Sequence, residues 1–283
     1  MNSQAMAASI VKFKLLHGHV IVIPVTVNGS GPYDFILDTG ASTTLISSEF
    51  AQTLRLRPVD RVELVTLAGL QAVPRAFLKG VSVGATAVTD LEAVFDDLSE
   101  ARAISPQIRG MLGLNFLSRF NLIINYRDRQ IEFEDEDELE QRLNGERLPI
   151  EWRDDRMLIL ARPLMAGRKS RRFVLDSGIG SLLLFAEDWR NLKLDWEPCP
   201  PAWVEARSEL GGRGAWRRQL RSYRVGDVDF SDLPVVVMES NSAQTGRIED
   251  GLLPTGLFQQ VYINQRKRFV ILNPKFAPNR RRE

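Results

Sequence analysis

The sequence predicts a mainly β protein built as two pseudo-twofold-related lobes, duplicated β-barrel-like domains with a few short helices. Three observations predict it. A strand-rich segment ending in Asp, a hydroxylated residue and Gly is written twice; an apolar element with glycine follows each copy at nearly the same distance; and helical periodicity is confined to short pieces.

The first copy, residues 19–43, reads HVIVIPVTVNGSGPYDFILDTGAST, and the second, residues 156–181, reads RMLILARPLMAGRKSRRFVLDSGIGS. Gly29 falls on Gly167, Phe35 on Phe173, Leu37 on Leu175, Asp38 on Asp176 and Gly40 on Gly178, a spacing of 138 residues throughout. Downstream, RGMLGLNFLSRFNLIIN (109–125) matches DGLLPTGLFQQVYIN (250–264), with Gly110 on Gly251 and Leu112 on Leu253. The aspartate precedes that glycine by 72 residues in the first half and 75 in the second. Residues 1–145 are therefore read as an N-terminal lobe and 146–283 as a C-terminal lobe.

Within the first lobe, HVIVIPVTVNG is a run of β-branched residues closed by Asn-Gly, a hairpin signal, with YDFILD as the returning strand. RVELVTLAGLQAVPRAF predicts a second hairpin about Ala68 and Gly69, and NLIINYRDRQIEFE a strand, a polar turn and a strand. QVYINQRKRFVILNP repeats that last pattern in the second lobe. SSEFAQTL and GLNFLSRF are the helical pieces, and the acidic run EDEDELEQRLNGERLP is expected to connect the lobes, its first part as linker or short helix.

Composition narrows the function classes. Hydrophobic residues make up 44% and charged residues 26%, as in ordinary globular chains, and no run approaches the roughly 18–20 apolar residues of a membrane span. The N-terminal residues lack the pattern of a secretory signal, and Cys199 is the single cysteine, so no intrachain disulfide forms and a reducing cytoplasm is expected. The net charge of +1 hides an asymmetry: residues 1–145 carry 13 Lys and Arg against 18 Asp and Glu, the remainder 24 against 18. Solvated charge runs or attraction between facing lobes both explain it. His17 and His19 flank a glycine with no third ligand nearby, so no metal is expected. RKSRR (168–172) is expected at a hairpin tip; with no interleaved aromatics, nucleic acid is not expected as a partner.

Asp38-Thr39-Gly40 and Asp176-Ser177-Gly178, each ending an apolar strand and each followed by the apolar-glycine element, resemble the motifs of the pepsin/retropepsin superfamily of aspartic peptidases. One such tripeptide is common in turns, whereas two in register over residues 19–275 are specific. The resemblance implies two acid-protease lobes in a bacterial two-lobed, single-chain arrangement. It also implies Asp38 and Asp176 as the water-activating pair, and Thr39 and Ser177 hydroxyls tying each loop to the opposite lobe. The chemistry stands on its own: amide hydrolysis needs a base for water and an acid for the carbonyl oxygen, and two carboxyls sharing one proton supply both. Gly40 and Gly178 are expected to permit the tight turn after each aspartate.

Departures from the family pattern carry expectations too. Pepsin-like enzymes place Ser or Thr three residues after the aspartate, and Ala41 and Ile179 stand there. The missing donors raise the carboxyl pKa values, so activity is expected nearer neutral pH than in a stomach-type enzyme. Gly113 matches the apolar-apolar-Gly element beneath the active-site loop, where the second lobe has Pro254. Ser42, Ala68, Gly69, Gly212 and Trp216 are candidates for substrate or flap contacts, one flap in each lobe. The function read here is a monomeric aspartic endopeptidase acting on peptide or protein substrates, without cofactor. The alternative is a catalytically silent peptide- or protein-binding module on the same fold.

Overall fold

The computed structural model describes residues 9–66, 69–134, 139–161, 171–186, 194–198, 202–208, 211–239 and 247–276. The first lobe opens with β1 (Ser9–Lys12), β2 (Lys14–Leu16), β3 (Val20–Val27), β4 (Ser30–Leu37) and β5 (Thr44–Ser47). Then come α1 (Ser48–Thr53), β6 (Asp60–Thr66), β7 (Gly69–Val83), β8 (Thr86–Asp96), α2 (Ser99–Ile104) and β9 (Ile108–Leu112). The half closes with α3 (Leu114–Leu117), β10 (Asn121–Asn125), β11 (Gln130–Glu134) and β12 (Leu143–Asn144). The second half runs through β13 (Arg147–Arg153), β14 (Arg156–Ala161), β15 (Arg171–Asp176), β16 (Leu182–Ala186) and β17 (Ala202–Ser208). It continues with β18 (Gly211–Val225), β19 (Val228–Glu239), β20 (Gly251–Pro254), β21 (Gln260–Asn264), β22 (Phe269–Leu272) and β23 (Lys275–Phe276).

The Asn-Gly signal acts as expected. Asn28 and Gly29 both have positive φ, 51° and 78°, and close a two-residue turn between Val27 and Ser30, the geometry that matches strand twist. Asp154 and Asp155, φ 46° and 58°, do the same between β13 and β14. Ser47 caps α1 by accepting the Phe50 N–H at 3.0 Å. Helix α2 has no counterpart among the sequence expectations; its N-cap, Leu98, lies in the left-handed region without a side-chain cap.

Each lobe sheet has the same strand order, β2-β3-β4-β9-β5-β8-β7-β6 in the first and β13-β14-β15-β20-β16-β19-β18-β17 in the second. The pairs β4/β9, β15/β20, β5/β8 and β16/β19 are parallel, and their neighbours are mostly antiparallel. A third, shared region joins the lobes: β1-β11-β10-β21-β22-β13, with Leu122 opposite Ile263 and Ile124 opposite Val261. The pseudo-twofold axis therefore passes through the Ile123–Tyr262 pair. One apolar core runs through both lobes, from Phe35 and Phe116 to Phe173 and Val261.

The acidic connection is more deeply built in than its charge implied. Residues 135–138 lie outside the described residues, but Glu140 is buried beside Arg147 at 2.9 Å and Lys267 at 2.6 Å. Buried Glu134 accepts from the Leu139 N–H at 2.9 Å and the Tyr262 hydroxyl at 3.1 Å. Pro149, at the end of the same run, already pairs with Phe269. Packing against the shared sheet overrides the solvation of the run. The tip residues 168–170 of the basic cluster lie outside the described residues; Arg171 and Arg172 begin β15 and face Asp250 and Glu151. No helix among the described residues is long and apolar enough to cross a membrane.

Glycines Gly110 and Gly251 are fixed by close approach. A Cβ on Gly110 would enter the Phe35 ring and the Leu45 carbonyl; on Gly251 it would enter the Leu183 carbonyl and the Phe173 ring. These are the same contacts in both lobes. Gly110→Ala and Gly251→Ala are each expected to cost about 1–3 kcal/mol, as overpacking does, measured by denaturant midpoint.

Candidate active site

The parallel pairings set the site. Leu37 lies beside Leu112, and Asp176 beside Pro254, so each aspartate leaves its lobe at the carboxyl end of adjacent parallel strands. Both side chains are buried, at 7% exposure for Asp38 and 6% for Asp176. The Gly40 N–H donates to Asp38 Oδ1 at 2.8 Å, and the Gly178 N–H to Asp176 Oδ1 at 2.7 Å.

Four hydrogen bonds lock the two loops across the axis. Thr39 Oγ1 donates to the Leu175 carbonyl at 2.7 Å and accepts the Ser177 N–H at 3.1 Å. Ser177 Oγ donates to the Leu37 carbonyl at 2.8 Å and accepts the Thr39 N–H at 3.0 Å. Both hydroxyls are almost wholly buried, so each bond is made without competing water. Substituting serine for threonine keeps the donor and acceptor that the exchange requires.

The role expected of the glycines changes. Gly40 and Gly178 are not among the positive-φ residues, so no left-handed turn requires them. A Cβ on Gly178 would lie 3.0 Å from the Asp38 carboxyl carbon, and one on Gly40 would collide with the Asp176 carboxyl. Each glycine makes room for the other lobe's aspartate.

Burial raises the Asp38 pKa, opposed by the N–H groups of Gly40 and Ala41 and by a hydrogen bond from Asp176. Asp176 stands well above the ordinary aspartate value, first through burial and then through the charge of Asp38; Gly178 and Ile179 N–H groups oppose this. The pair thus shares one proton. Ala41 and Ile179 supply backbone donors where they lack side-chain ones.

Beneath the loops the lobes differ. In the first, the Leu114 N–H donates to the Ala41 carbonyl at 2.8 Å and the Asn115 N–H to the Ser42 carbonyl at 3.1 Å. Gly113 N–H reaches Thr44 Oγ1 at 3.2 Å, and Thr44 donates through both N–H and hydroxyl to Asn115 Oδ1. A Cβ on Gly113 would strike the Thr43 carbonyl at 2.6 Å. In the second lobe Pro254 has no N–H to give. Sequence reasoning located Gly113 but missed Asn115, whose signal was an amide directly inside GLNF.

Both predicted hairpins are present. Gly69 pairs with Thr66 beside the first tip, and Ala68 lies outside the described residues. The second hairpin joins Ser208 to Gly211, so Gly212 sits within β18 opposite Arg207 rather than at the tip. Half-buried Trp216 is farther back, opposite Trp203. Ser42 is half-buried and acts through its carbonyl. His19 Nδ1 donates to the His17 carbonyl at 3.1 Å, and its ring lies against Gly180 of the second lobe, a contact that no local pattern announced. Among the described residues no three metal-ligating side chains converge.

Two like lobes, each delivering one buried aspartate to a shared axis, define the acid-protease fold in single-chain form. A family profile described as "Aspartyl protease" matches twice, over residues 23–116 and 163–257, and the chain belongs to that family. Among solved structures it is similar to a retropepsin-like aspartic protease from Rickettsia conorii, at 18% identity and TM-score 0.35, over 47% of this chain and 95% of that one. No curated protein matches.

Thr39→Ala strands the Ser177 N–H and the Leu175 carbonyl in a buried place and is expected to cost about 2–4 kcal/mol in denaturant unfolding. Thr39→Ser should cost about 1 kcal/mol, for the lost methyl alone. Because both carboxyls are raised, the folded protein keeps protons that the unfolded chain releases first, and stability falls as pH rises from the ordinary aspartate value through the raised ones. Asp176→Asn removes that loss, so its Tm advantage over the parent should widen between pH 4 and pH 8.

Proposed function

We propose that the protein is an aspartic endopeptidase that hydrolyses peptide bonds with a water activated between Asp38 and Asp176. The observation that carries this reading is the mutual approach of the two buried carboxyls, each over the other lobe's glycine. Charged Asp38 takes a proton from water as the oxygen bonds to the scissile carbonyl carbon, while Asp176 gives its proton to the carbonyl oxygen. The tetrahedral diol then collapses: Asp176 recovers a proton from one hydroxyl, the C–N bond breaks, and Asp38 passes its proton to the leaving nitrogen. The products are a carboxylic acid and an amine, and the pair returns to its starting state.

An extended peptide would lie between the two hairpins, held by strand edges, with Ser42, Gly69 and Gly212 near its path and Trp216 behind the second hairpin. We read the protein as a cytoplasmic monomer acting on peptides or proteins, the single Cys199 excluding an intrachain disulfide. The rival reading is a peptide-binding module without turnover, favoured by Pro254 in place of the Gly113 counterpart. Tight binding of a statine-type peptide that depends on Asp38, together with peptide cleavage, supports the peptidase; binding without cleavage between pH 3 and 8 supports the module.

Asp38→Asn and Asp176→Asn are each expected to lower kcat by at least about 10²–10⁴-fold with peptide binding retained, read by chromatography of cleaved peptides. Turnover requires one proton on the pair. It falls at low pH as Asp38 gains a proton and at high pH as Asp176 loses one. With both values raised, the optimum should lie above about pH 4, the ordinary aspartate range. A maximum below that contradicts the reading.

A further inference from the structure

The strands flanking the pseudo-twofold axis end in turns of the same shape, YRDR after β10 and QRKR after β21, so Tyr126 and Gln265 occupy equivalent places. They behave differently. Tyr126 crosses from the first-lobe strand to the second lobe, where its hydroxyl meets Thr255 Oγ1 at 2.5 Å, and its N–H donates to the Gln259 carbonyl at 2.9 Å. Gln265 Oε1 is buried without a hydrogen-bond partner, because the residue matching Thr255 in the first lobe is Leu114.

Thr255 is wholly buried and follows Pro254, the residue paired with Asp176. In the first lobe this element is tied to its aspartate loop by the Leu114 and Asn115 N–H groups. No equivalent backbone bond runs from Thr255 or Gly256 to Ile179 or Gly180. The Thr255 hydroxyl instead takes its partner from the opposite lobe. The Tyr126 ring lies within 3.8 Å of where a Gly256 Cβ would stand, and packs edge-on against Phe13 at 6.1 Å.

We propose that Tyr126 is a positioning residue for Asp176: through Thr255 it fixes the second-lobe element beneath that aspartate, in place of the backbone brace that Leu114 and Asn115 give the first lobe. The proposal deepens the peptidase reading and rests on it for its kinetic arm. Burial keeps the tyrosine hydroxyl protonated above its ordinary range, so it is able to donate wherever the pair is active.

The test compares the full chain with Tyr126→Phe, Thr255→Val and the double variant. Phe keeps the ring contacts with Phe13 and Gly256, so the fold is retained. Each single substitution is expected to lower kcat about tenfold with KM within about twofold, the scale of a small misplacement. The double variant should be no slower than either. With Asp176 able to draw away from Asp38, the alkaline limb of the pH–rate profile should move to lower pH by about half a unit and the acid limb to higher pH, so that the profile narrows. The Asp176 carboxyl titration, followed by NMR in ¹³C-labelled protein, should move with the alkaline limb. That measurement needs no turnover, so a parent that cleaves nothing while its Tyr126→Phe titration shifts overturns the peptidase reading and upholds the positioning role. Unmoved titration, losses that multiply in the double variant, or an equal shift in Gln265→Met each overturn the proposal.

Discussion

Everything about this fold answers to one electrostatic conflict: two carboxyls are pressed together out of water. Like charges at such range cannot both persist, so the surroundings must hold the pair in a single proton-sharing state. Thr39 and Ser177 do this geometrically, each hydroxyl bonding the other lobe's backbone. Gly40 and Gly178 do it sterically, by having no side chain where the opposite carboxyl stands. The backbone donors of Ala41 and Ile179 temper the charge that remains.

Duplication explains the scaffold but not its asymmetry. Strand order, the parallel pairs and the Phe-Gly-Leu contacts at Gly110 and Gly251 repeat almost without change. The loop supports do not. Three hydrogen bonds around Thr44 and Asn115 stay within the first lobe, whereas the second places a proline at the equivalent point and borrows a tyrosine from its neighbour. Once two lobes lie in one chain, each copy is free to specialise, and the loop of Asp38 sits in the better-braced half.

The duplicated motif, the hairpins and the meeting of Asp38 with Asp176 were legible in the sequence because they repeat at fixed spacing and follow strand and turn chemistry. Helix α2 was not, since SEARAI is too short to show a period, and its place is set by packing on Ile108 and Val94. The acidic connection reads as solvated because charge alone says nothing of a tyrosine hydroxyl in a strand, or a lysine in the turn after it, more than 120 residues away. The reason for glycine after Asp-Thr was misread for the same cause: a contact across the axis leaves no local pattern. Tyr126 and His19 belong to this class, each acting on residues of the other lobe.

The shared sheet has a consequence for how the halves recognise one another. A first half on its own would leave β10 with an open edge, and the register around the Ile123–Tyr262 pair would let a second first half dock there with Ile123 facing Ile123. That self-pairing would deprive buried Glu134 of the Tyr262 hydroxyl and Glu140 of Lys267. A carboxylate out of water and short of partners is costly. Glu134 and Glu140 thus find at the seam, in Tyr262 and Lys267 of the unlike half, partners that a second copy of the first half would not supply, since Ile123 and Asp128 stand at the matching positions.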